Sequence, residues 1–322
     1  MYRLPFSSLQ QLMDAPQQAM SFLVEQASSI EAEVYRTQYV DIQYPQLVPV
    51  DESANEWAKS VTFFSMDKVG QADWFHHMAT DMRIADVIRN KFEQGIEMAG
   101  IGYRYTLEEL GQAMMIPGVN LTSEKAEAAR RSYEEFMDKI ALTGNAGKNW
   151  TGLINDAVVT RVDAVNDGTG SSRLWINKTD AQIIRDINDA LTGIYTGSNT
   201  VEMADTLLLP IAQLSLIGSK QLTNTSETVL SYVQRNNVYT QMTGQPLLIR
   251  GLIDLATAGQ TATARMVAYK RDPRVVKMHI PMRHRFLPVW QTGPITFDVP
   301  GIFRTGGVEI RRPGAFRYVD GI

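Results

Sequence analysis

The residues best suited to metal chemistry are two adjacent histidines, His76 and His77, with Asp73 and Asp81 nearby. Imidazole and carboxylate groups bind metal ions, and a metal-dependent hydrolase could be built on such a set. Adjacent side chains on a strand point to opposite faces, however, so the two rings cannot easily share one ion. We therefore favour two polar residues in an exposed loop over a metal site.

The other two histidines, His279 and His284, lie in a basic run from Lys277 to Arg285. A run of this charge predicts an anionic partner, either nucleic acid or the carboxylates of a neighbouring subunit. The whole chain carries a formal net charge of −4 and is no general nucleic-acid binder. We therefore favour an intersubunit or solvated face for this run.

Other catalytic motifs are absent from the sequence. With 0 cysteines, the chain has no disulfide, thiolate metal site or cysteine nucleophile. It has no Gly-x-Ser-x-Gly elbow and no Walker lysine motif, and the stretch from Gly95 to Gly102 lacks the dinucleotide-binding glycine order. The sequence predicts neither an enzyme nor a cofactor.

The composition is that of an ordinary globular protein. Of 322 residues, 44% are hydrophobic and 20% charged, enough for one large domain or two modest ones. No stretch approaches the roughly 20 apolar residues of a membrane span, and no secretory signal follows Met1. We expect a protein that folds and stays in a cytoplasm, or in something assembled there.

Two segments near the start are predicted to project from the body. Residues 7 to 35 have the spacing of a helical arm, interrupted at Pro16, with too few apolar residues for a domain. Residues 37 to 50 are predicted as an extended edge strand. Residues 57–65 and 72–87 are predicted to form a hairpin, whose edges invite pairing with another chain.

The middle of the chain carries clear helix signals. After a predicted strand from Phe92 to Tyr105, Thr106–Glu109 has the pattern of a capping box and opens a short helix that stops at Pro117. A long helix is predicted from residue 122 to 142, about 30 Å in length. Thr179–Gln182 is a second capping box, expected to start a helix through Ala190.

The second half combines helices and strands. A buried strand is predicted at Thr206–Pro210, entering a helix, and a further helix at 225–239. The chain from Arg265 onward is predicted to be β-rich, with these strands: 266–269, 275–280, 295–299 and 308–311. The fold class is α+β, with an arm and a hairpin projecting from it.

This order of elements, together with three stretches, resembles a known family. The stretches are Tyr103–Leu110, Lys125–Arg130 and Gly152–Asn155, with Trp57 ahead of the hairpin and an Asp67–Ala72 turn. The chain is similar to the major capsid proteins of tailed bacteriophages, which have the Hong Kong 97 phage-type capsid fold. The likeness covers most of the chain.

The resemblance implies a division of the chain into the family's parts. These would be an N-terminal arm (1–35), a peripheral domain (36–50 and 88–175) with its spine helix at 122–142, an extended loop (51–87), an axial domain (176–299) and C-terminal peripheral-domain strands (300–322). Lys59 and Lys68 fall in the extended loop, where some relatives form a covalent cross-link, but no partner motif supports one here.

The resemblance also implies a function. The protein would self-assemble, through hexamers and pentamers, into an icosahedral head shell that encloses packaged double-stranded DNA and touches it only weakly. It would belong to the virion, be assembled in the host cytoplasm, and contact portal, scaffold or decoration proteins, with no membrane and no cofactor. The predicted assembly-interface residues are Trp57, Phe63, Phe64, Asp67, Lys68, Trp74, Arg283 and Arg285.

Two alternatives remain at this point. An encapsulin-like cargo compartment has a similar fold, and a metal-dependent hydrolase could use His76 and His77. A decoration or scaffolding protein is disfavoured, because the chain has the length and elements of a shell-forming subunit.

Overall fold

The computed structural model describes residues 41–69, 86–113 and 121–322. The predicted arm, His76 and His77, Trp74 and the predicted helix stop at Pro117 lie outside the described residues. The helices are α1 (Tyr44–Leu47), α2 (Leu107–Ala113), α3 (Leu121–Thr143), α4 (Asp180–Gly197), α5 (Ile211–Ser219), α6 (Val229–Arg235) and α7 (Val238–Thr243). Short 3₁₀ turns lie at Ala146–Lys148, Trp175–Asn177, Asp254–Ala256, Gln260–Ala262 and Pro313–Ala315.

The strands form several small sheets and one larger one. They are β1 (Val50–Asp51), β2 (Ser60–Val69), β3 (Asp86–Gly95), β4 (Glu97–Gly100), β5 (Tyr103–Thr106), β6 (Thr160–Asp163), β7 (Thr206–Pro210), β8 (Leu248–Leu252), β9 (Arg265–Tyr269), β10 (Val276–His279), β11 (Met282–Phe286), β12 (Trp290–Gln291), β13 (Thr296–Val299), β14 (Gly301–Thr305), β15 (Gly307–Ile310) and β16 (Phe316–Asp320). Three-stranded sheets have the orders β1-β10-β15, β11-β14-β4 and β12-β13-β5.

A five-stranded sheet of order β6-β16-β9-β7-β8 separates two hydrophobic cores. Alternate residues of a strand face opposite sides, so Val267 and Tyr269 of β9 enter one core, while Met266 and Ala268 enter the other. The first core contains α3, β10 and β15, and the second contains α4, α5 and α6. Both faces of the sheet are therefore covered.

The long helix α3 confirms the predicted helix at 122–142. Tyr133, Met137 and Ile140 on one side of this helix are buried, whereas Phe136 is 39% exposed. The helix ends at a tight loop, where Gly144 has a φ of +71° and a Cβ on Gly152 would lie 2.1 Å from the carbonyl oxygen of Leu142. Glycine is needed at both positions, for conformation at the first and for space at the second.

The edge strand predicted over residues 37–50 is wrong where the structure describes it. Residues 44–47 form α1, and only Val50 and Asp51 join a sheet. Proline suits the first turn of a helix, and Pro45 lies there. The free amides of Gln43 and Tyr44 donate to Asp138 Oδ1 of α3, at 3.0 and 2.8 Å. A distant carboxylate therefore stabilises a turn that local sequence does not signal.

The second hairpin strand also lies later than predicted. The partner of β2 is β3, at residues 86–95, which overlaps the predicted strand 72–87 only at Asp86 and Val87, and Phe63 faces Phe92 across the pair. The strand predicted from Phe92 to Tyr105 is instead divided among β3, β4 and β5. The helix predicted at 225–239 is two short helices, and α4 continues past Ala190 to Gly197.

Both predicted capping boxes are present. Thr106 and Glu109 exchange hydrogen bonds at the start of α2, and Thr179 and Gln182 do so at the start of α4. Within the described ranges, no helix is both long and apolar enough to cross a lipid bilayer.

Candidate assembly surface

Strands β2 and β3 form a two-stranded ribbon, paired at ten positions from Ser60 opposite Gly95 to Val69 opposite Asp86. No third strand joins it among the described residues, so each strand has one edge without a partner strand. Unpaired backbone groups on a strand edge favour pairing with another chain. The two outer edges of the ribbon could therefore pair with a strand of another chain.

The ribbon carries apolar side chains on both faces. Phe63 and Phe92 stack at 5.1 Å between ring centroids on one face, and Phe92 is 48% exposed. Phe64 and Met66 alternate with them onto the other face and are 66% and 64% exposed. Large apolar side chains exposed on neighbouring positions typically mark a contact surface.

Contacts at its root hold the ribbon to the body. The amide of Ile96 donates to the Lys59 carbonyl at 2.9 Å, and the Gln94 side chain donates to the Gly306 carbonyl at 2.7 Å. On the segment before the ribbon, the Glu56 carbonyl accepts from Arg304 at 2.6 Å. The root is therefore anchored to β14 and to the turn that follows it.

The remaining predicted interface residues of this region fall into two groups. Trp57, just before the ribbon, is 63% exposed, and its amide donates to Asn55 Oδ1 at 2.9 Å. The side chains of Asp67 and Lys68, and the whole of Trp74, lie outside what the structure describes. Trp57 thus adds to the exposed apolar surface beside the ribbon.

Arg283 and Arg285 pair with carboxylates of the same chain. Arg283 Nε lies 2.5 Å from Glu52 Oε1, and Arg285 Nη1 lies 3.2 Å from Glu56 Oε2. The hydrogen bond to Glu52 raises the pKa of Arg283. Both partners lie on the segment between β1 and the ribbon, so the basic run binds the base of the ribbon to β11.

His279 is buried, which corrects the predicted intersubunit or solvated face for this residue. Its Nε2 lies 2.8 Å from Glu309 Oε2, and its Nδ1 lies 3.7 Å from Asp51 Oδ2. Burial by itself raises the pKa of Glu309, but the hydrogen bonds from His279 and Arg311 outweigh it and hold that pKa below its usual range. His284 is half-buried and stacks on Tyr133.

Sequence reasoning missed a second exposed apolar patch at the β12–β13 end of the body. Its members are Leu287, Val289, Trp290 and Ile295, which are 37%, 53%, 68% and 49% exposed. The available signal was that all four apolar residues lie next to, or close to, one of two prolines, Pro288 and Pro294, and that one of the four is a tryptophan. Trp290 belongs to the two-residue strand β12, whose pairing with β13 leaves its side chain exposed.

The proposed metal chemistry gains no support. Among the residues that the structure describes, no group of three or more His, Cys, Asp or Glu side chains could hold a metal ion. His76, His77, Asp73 and Asp81 all lie outside those residues.

Comparison with known proteins identifies relatives. A family model described as major capsid protein matches residues 70–322. The chain is similar to the capsid of Myoviridae phage XM1, with 20% identity and a TM-score of 0.74 over 92% of this chain and 98% of that one. No curated protein sequence matches.

Two further solved structures have the same fold at lower identity. A chain of Mycobacterium phage Bobi has 12% identity and a TM-score of 0.58, over 91% of this chain and 94% of that one. The capsid of a native GTA particle has 9% identity and a TM-score of 0.61, over 91% and 94%. At such identities the likeness shows the fold alone, which is that of phage capsid structures.

Proposed function

We propose, from the premise that this chain belongs to the major capsid protein family, that its copies assemble into an icosahedral head shell enclosing double-stranded DNA. Family membership makes the chain a structural component of a virion and not an enzyme. Many copies of the chain build the shell. The family match and the capsid structures favour neither a cargo compartment nor a hydrolase.

The observation that carries the proposal is the open ribbon. Phe64 and Met66 are exposed on one face, Phe92 on the other, and neither outer edge has a partner strand among the described residues. A two-stranded ribbon alone is marginally stable in water, and strand addition or packing by another copy would cover these groups. A repeated contact of this kind between different patches closes into rings and shells when its symmetry allows.

The parts of the subunit follow the family's plan in this proposal. The arm is 1–35, the extended loop 51–87, the peripheral domain 36–50 and 88–175 with 300–322, and the axial domain 176–299. The ribbon continues that loop to Gly95. Hexamers and pentamers would be built in the host cytoplasm, with portal, scaffold or decoration proteins as further partners. The formal net charge of −4 supports weak, non-specific contact with the enclosed DNA.

The test is assembly of the purified full chain, followed by electron microscopy. We expect closed particles from the natural sequence. The double variant Phe64→Ser, Met66→Ser will keep the subunit fold, because both side chains are exposed, but will lower particle yield at least ten-fold. The matched control changes two exposed polar residues of the same ribbon, Ser65→Thr and Asn90→Ser, and will assemble as the natural chain does.

Circular dichroism and a thermal unfolding midpoint will establish that each variant is folded. If the serine variant gave the same particle yield as the natural chain, the exposed face of the ribbon would not be part of the assembly contact. A natural chain that remains a compact monomer at high concentration would contradict the shell function itself. Particles mixed with linear double-stranded DNA at physiological salt will not retain it.

A further inference from the structure

Phe63 and Phe92 stack across the two ribbon strands, and the guanidinium group of Arg311, from the body of the subunit, lies against Phe63. The guanidinium carbon of Arg311 is 4.6 Å from the ring centroid of Phe63, and Phe63 stacks on Phe92 at 5.1 Å. The positive charge therefore faces the π system of a residue pair that belongs to both strands.

Arg311 is held in place from the other side. Its Nε donates to Glu309 Oε2 at 2.9 Å, and its amide donates to the Val275 carbonyl at 2.8 Å. The same Glu309 oxygen lies 2.8 Å from Nε2 of His279, whose side chain is fully buried. Glu309 is itself 6% exposed, so the guanidinium is fixed to the sheet β1-β10-β15.

Two hydrogen bonds between the ribbon and its surroundings lie closer to its root. Ile96 and Lys59 bond just beyond the last strand pair, and Gln94 is opposite Val61, two residues nearer the root than Phe63. These hydrogen bonds fix where the ribbon is attached. The Phe63 contact lies further along the ribbon and opposes rotation about that attachment.

A small rotation has a large effect at the far end. Ten residues of antiparallel strand extend about 34 Å, so a rotation of about 10° at the root moves the far end by about 6 Å. A displacement of that size exceeds the spacing between neighbouring strands, about 4.8 Å, and would change which groups of a neighbouring copy the ribbon meets.

We propose that Arg311 is the positioning residue that sets the angle at which the ribbon leaves the body. His279 holds Glu309, Glu309 holds Arg311, and Arg311 contacts Phe63 of the ribbon. The importance of this angle rests on the proposed function, because the ribbon's direction would determine where it meets a neighbouring copy.

The absence of cysteine in the natural chain allows a direct measurement. Ser65→Cys in the ribbon and Ser132→Cys on α3, both exposed, carry spin labels, and electron paramagnetic resonance gives the distance distribution between them. Labelled chains are diluted into unlabelled chains, so that only distances within one subunit contribute. We expect one narrow distribution for the otherwise natural chain.

Arg311→Ala is expected to widen this distribution at least two-fold. Arg311→Lys will have an intermediate width, because lysine keeps the charge but lacks the planar group that stacks on an aromatic ring. The matched control is Arg235→Ala, which removes an exposed arginine at the end of α6 that pairs with Glu227 and will leave the width unchanged. Phe63→Leu keeps an apolar side chain but removes the ring, and will widen the distribution as Arg311→Ala does.

Unchanged widths in Arg311→Ala and Phe63→Leu would overturn the proposal. If Arg311→Ala does not fold, the width measured for Phe63→Leu alone decides whether the proposal stands. Particle formation by the natural chain is scored separately by electron microscopy. If the natural chain forms particles but the variants have unchanged widths, only the positioning role is contradicted. If the variants have widened distributions but the natural chain forms no particles, only the shell function is contradicted.

Discussion

One buried ion pair of this protein, between Arg265 and Asp320, is held by several contacts at once. Arg265 and Asp320 form two parallel hydrogen bonds of 2.6 and 2.8 Å between adjacent strands of the central sheet. The remaining guanidinium nitrogen donates to the Ile154 carbonyl at 2.6 Å, and the guanidinium carbon lies 4.6 Å from the Tyr318 ring centroid. Such a pair is tolerated in a core because each polar atom has a partner.

Replacing Arg265 by alanine leaves the Asp320 carboxylate buried without its main partner. We expect Arg265→Ala to lower the free energy of unfolding by about 3–5 kcal/mol, measured by denaturant unfolding of the unassembled subunit. Arg235→Ala removes an exposed pair and should cost less than about 1 kcal/mol. Similar losses in the two variants would contradict the structural role assigned to the buried pair.

At the scale of elements, helix α4 shows how a local signal specifies a boundary. The Thr179 hydroxyl accepts from the Gln182 amide at 3.3 Å, and the Gln182 side chain accepts from the Thr179 amide at 2.8 Å. These bonds satisfy amides that the first helical turn leaves free. The helix then buries Ile183, Ile187 and Leu191 in the second core.

Thr179→Ala removes the hydroxyl half of this cap. The expected loss is about 1 kcal/mol in the free energy of unfolding, read from the shift in the denaturant midpoint. Thr196→Ala makes the same chemical change at an exposed position near the end of the same helix and should shift the midpoint little, since alanine is a better helix former. An unchanged midpoint for Thr179→Ala would show that packing alone determines where the helix begins.

At the scale of the whole molecule, buried and half-buried carboxylates link the subunit's stability to pH. Burial by itself raises the pKa of Asp51 and of Glu202. Hydrogen bonds from Lys277 and Ser53 to Asp51, and from Lys270 and Arg312 to Glu202, outweigh burial and hold each pKa below its ordinary value. Together with Glu309, these groups bind protons more weakly in the folded subunit than in the unfolded chain.

Stability should therefore fall in acid. A carboxylate with a lowered folded pKa contributes stability above its unfolded pKa, about 4, and loses it as the pH falls toward the folded pKa. We expect the denaturant midpoint to be flat near pH 6 and to decrease between about pH 4.5 and pH 3. The midpoint of the Glu202→Gln variant should decrease less over this pH range than that of the natural chain. Glu108→Gln, a change on the exposed surface of α2, is the control, and equal decreases in both variants would contradict the role of Glu202.

Several features of this protein were determined by short stretches of sequence. Both capping boxes, the long helix α3 and the buried strand at Thr206–Pro210 form as the sequence predicts. The resemblance to tailed-phage capsid proteins, from the Tyr103–Leu110 stretch and the order of elements, is confirmed by the family match. These predictions succeed because a cap or an amphipathic stripe depends on residues only a few positions apart.

Only the tertiary structure decided the partners of the charged residues and of the ribbon. Arg283 meets Glu52 across 231 positions, Lys277 meets Asp51 across 226, and Asp138 caps the turn at Tyr44 across 94. The basic run therefore contacts the protein's own carboxylates, His279 is buried between two of them, and β2 pairs with β3 instead of the nearer segment. Local sequence shows how much charge or apolar surface a segment carries, but the fold determines which distant group will satisfy it.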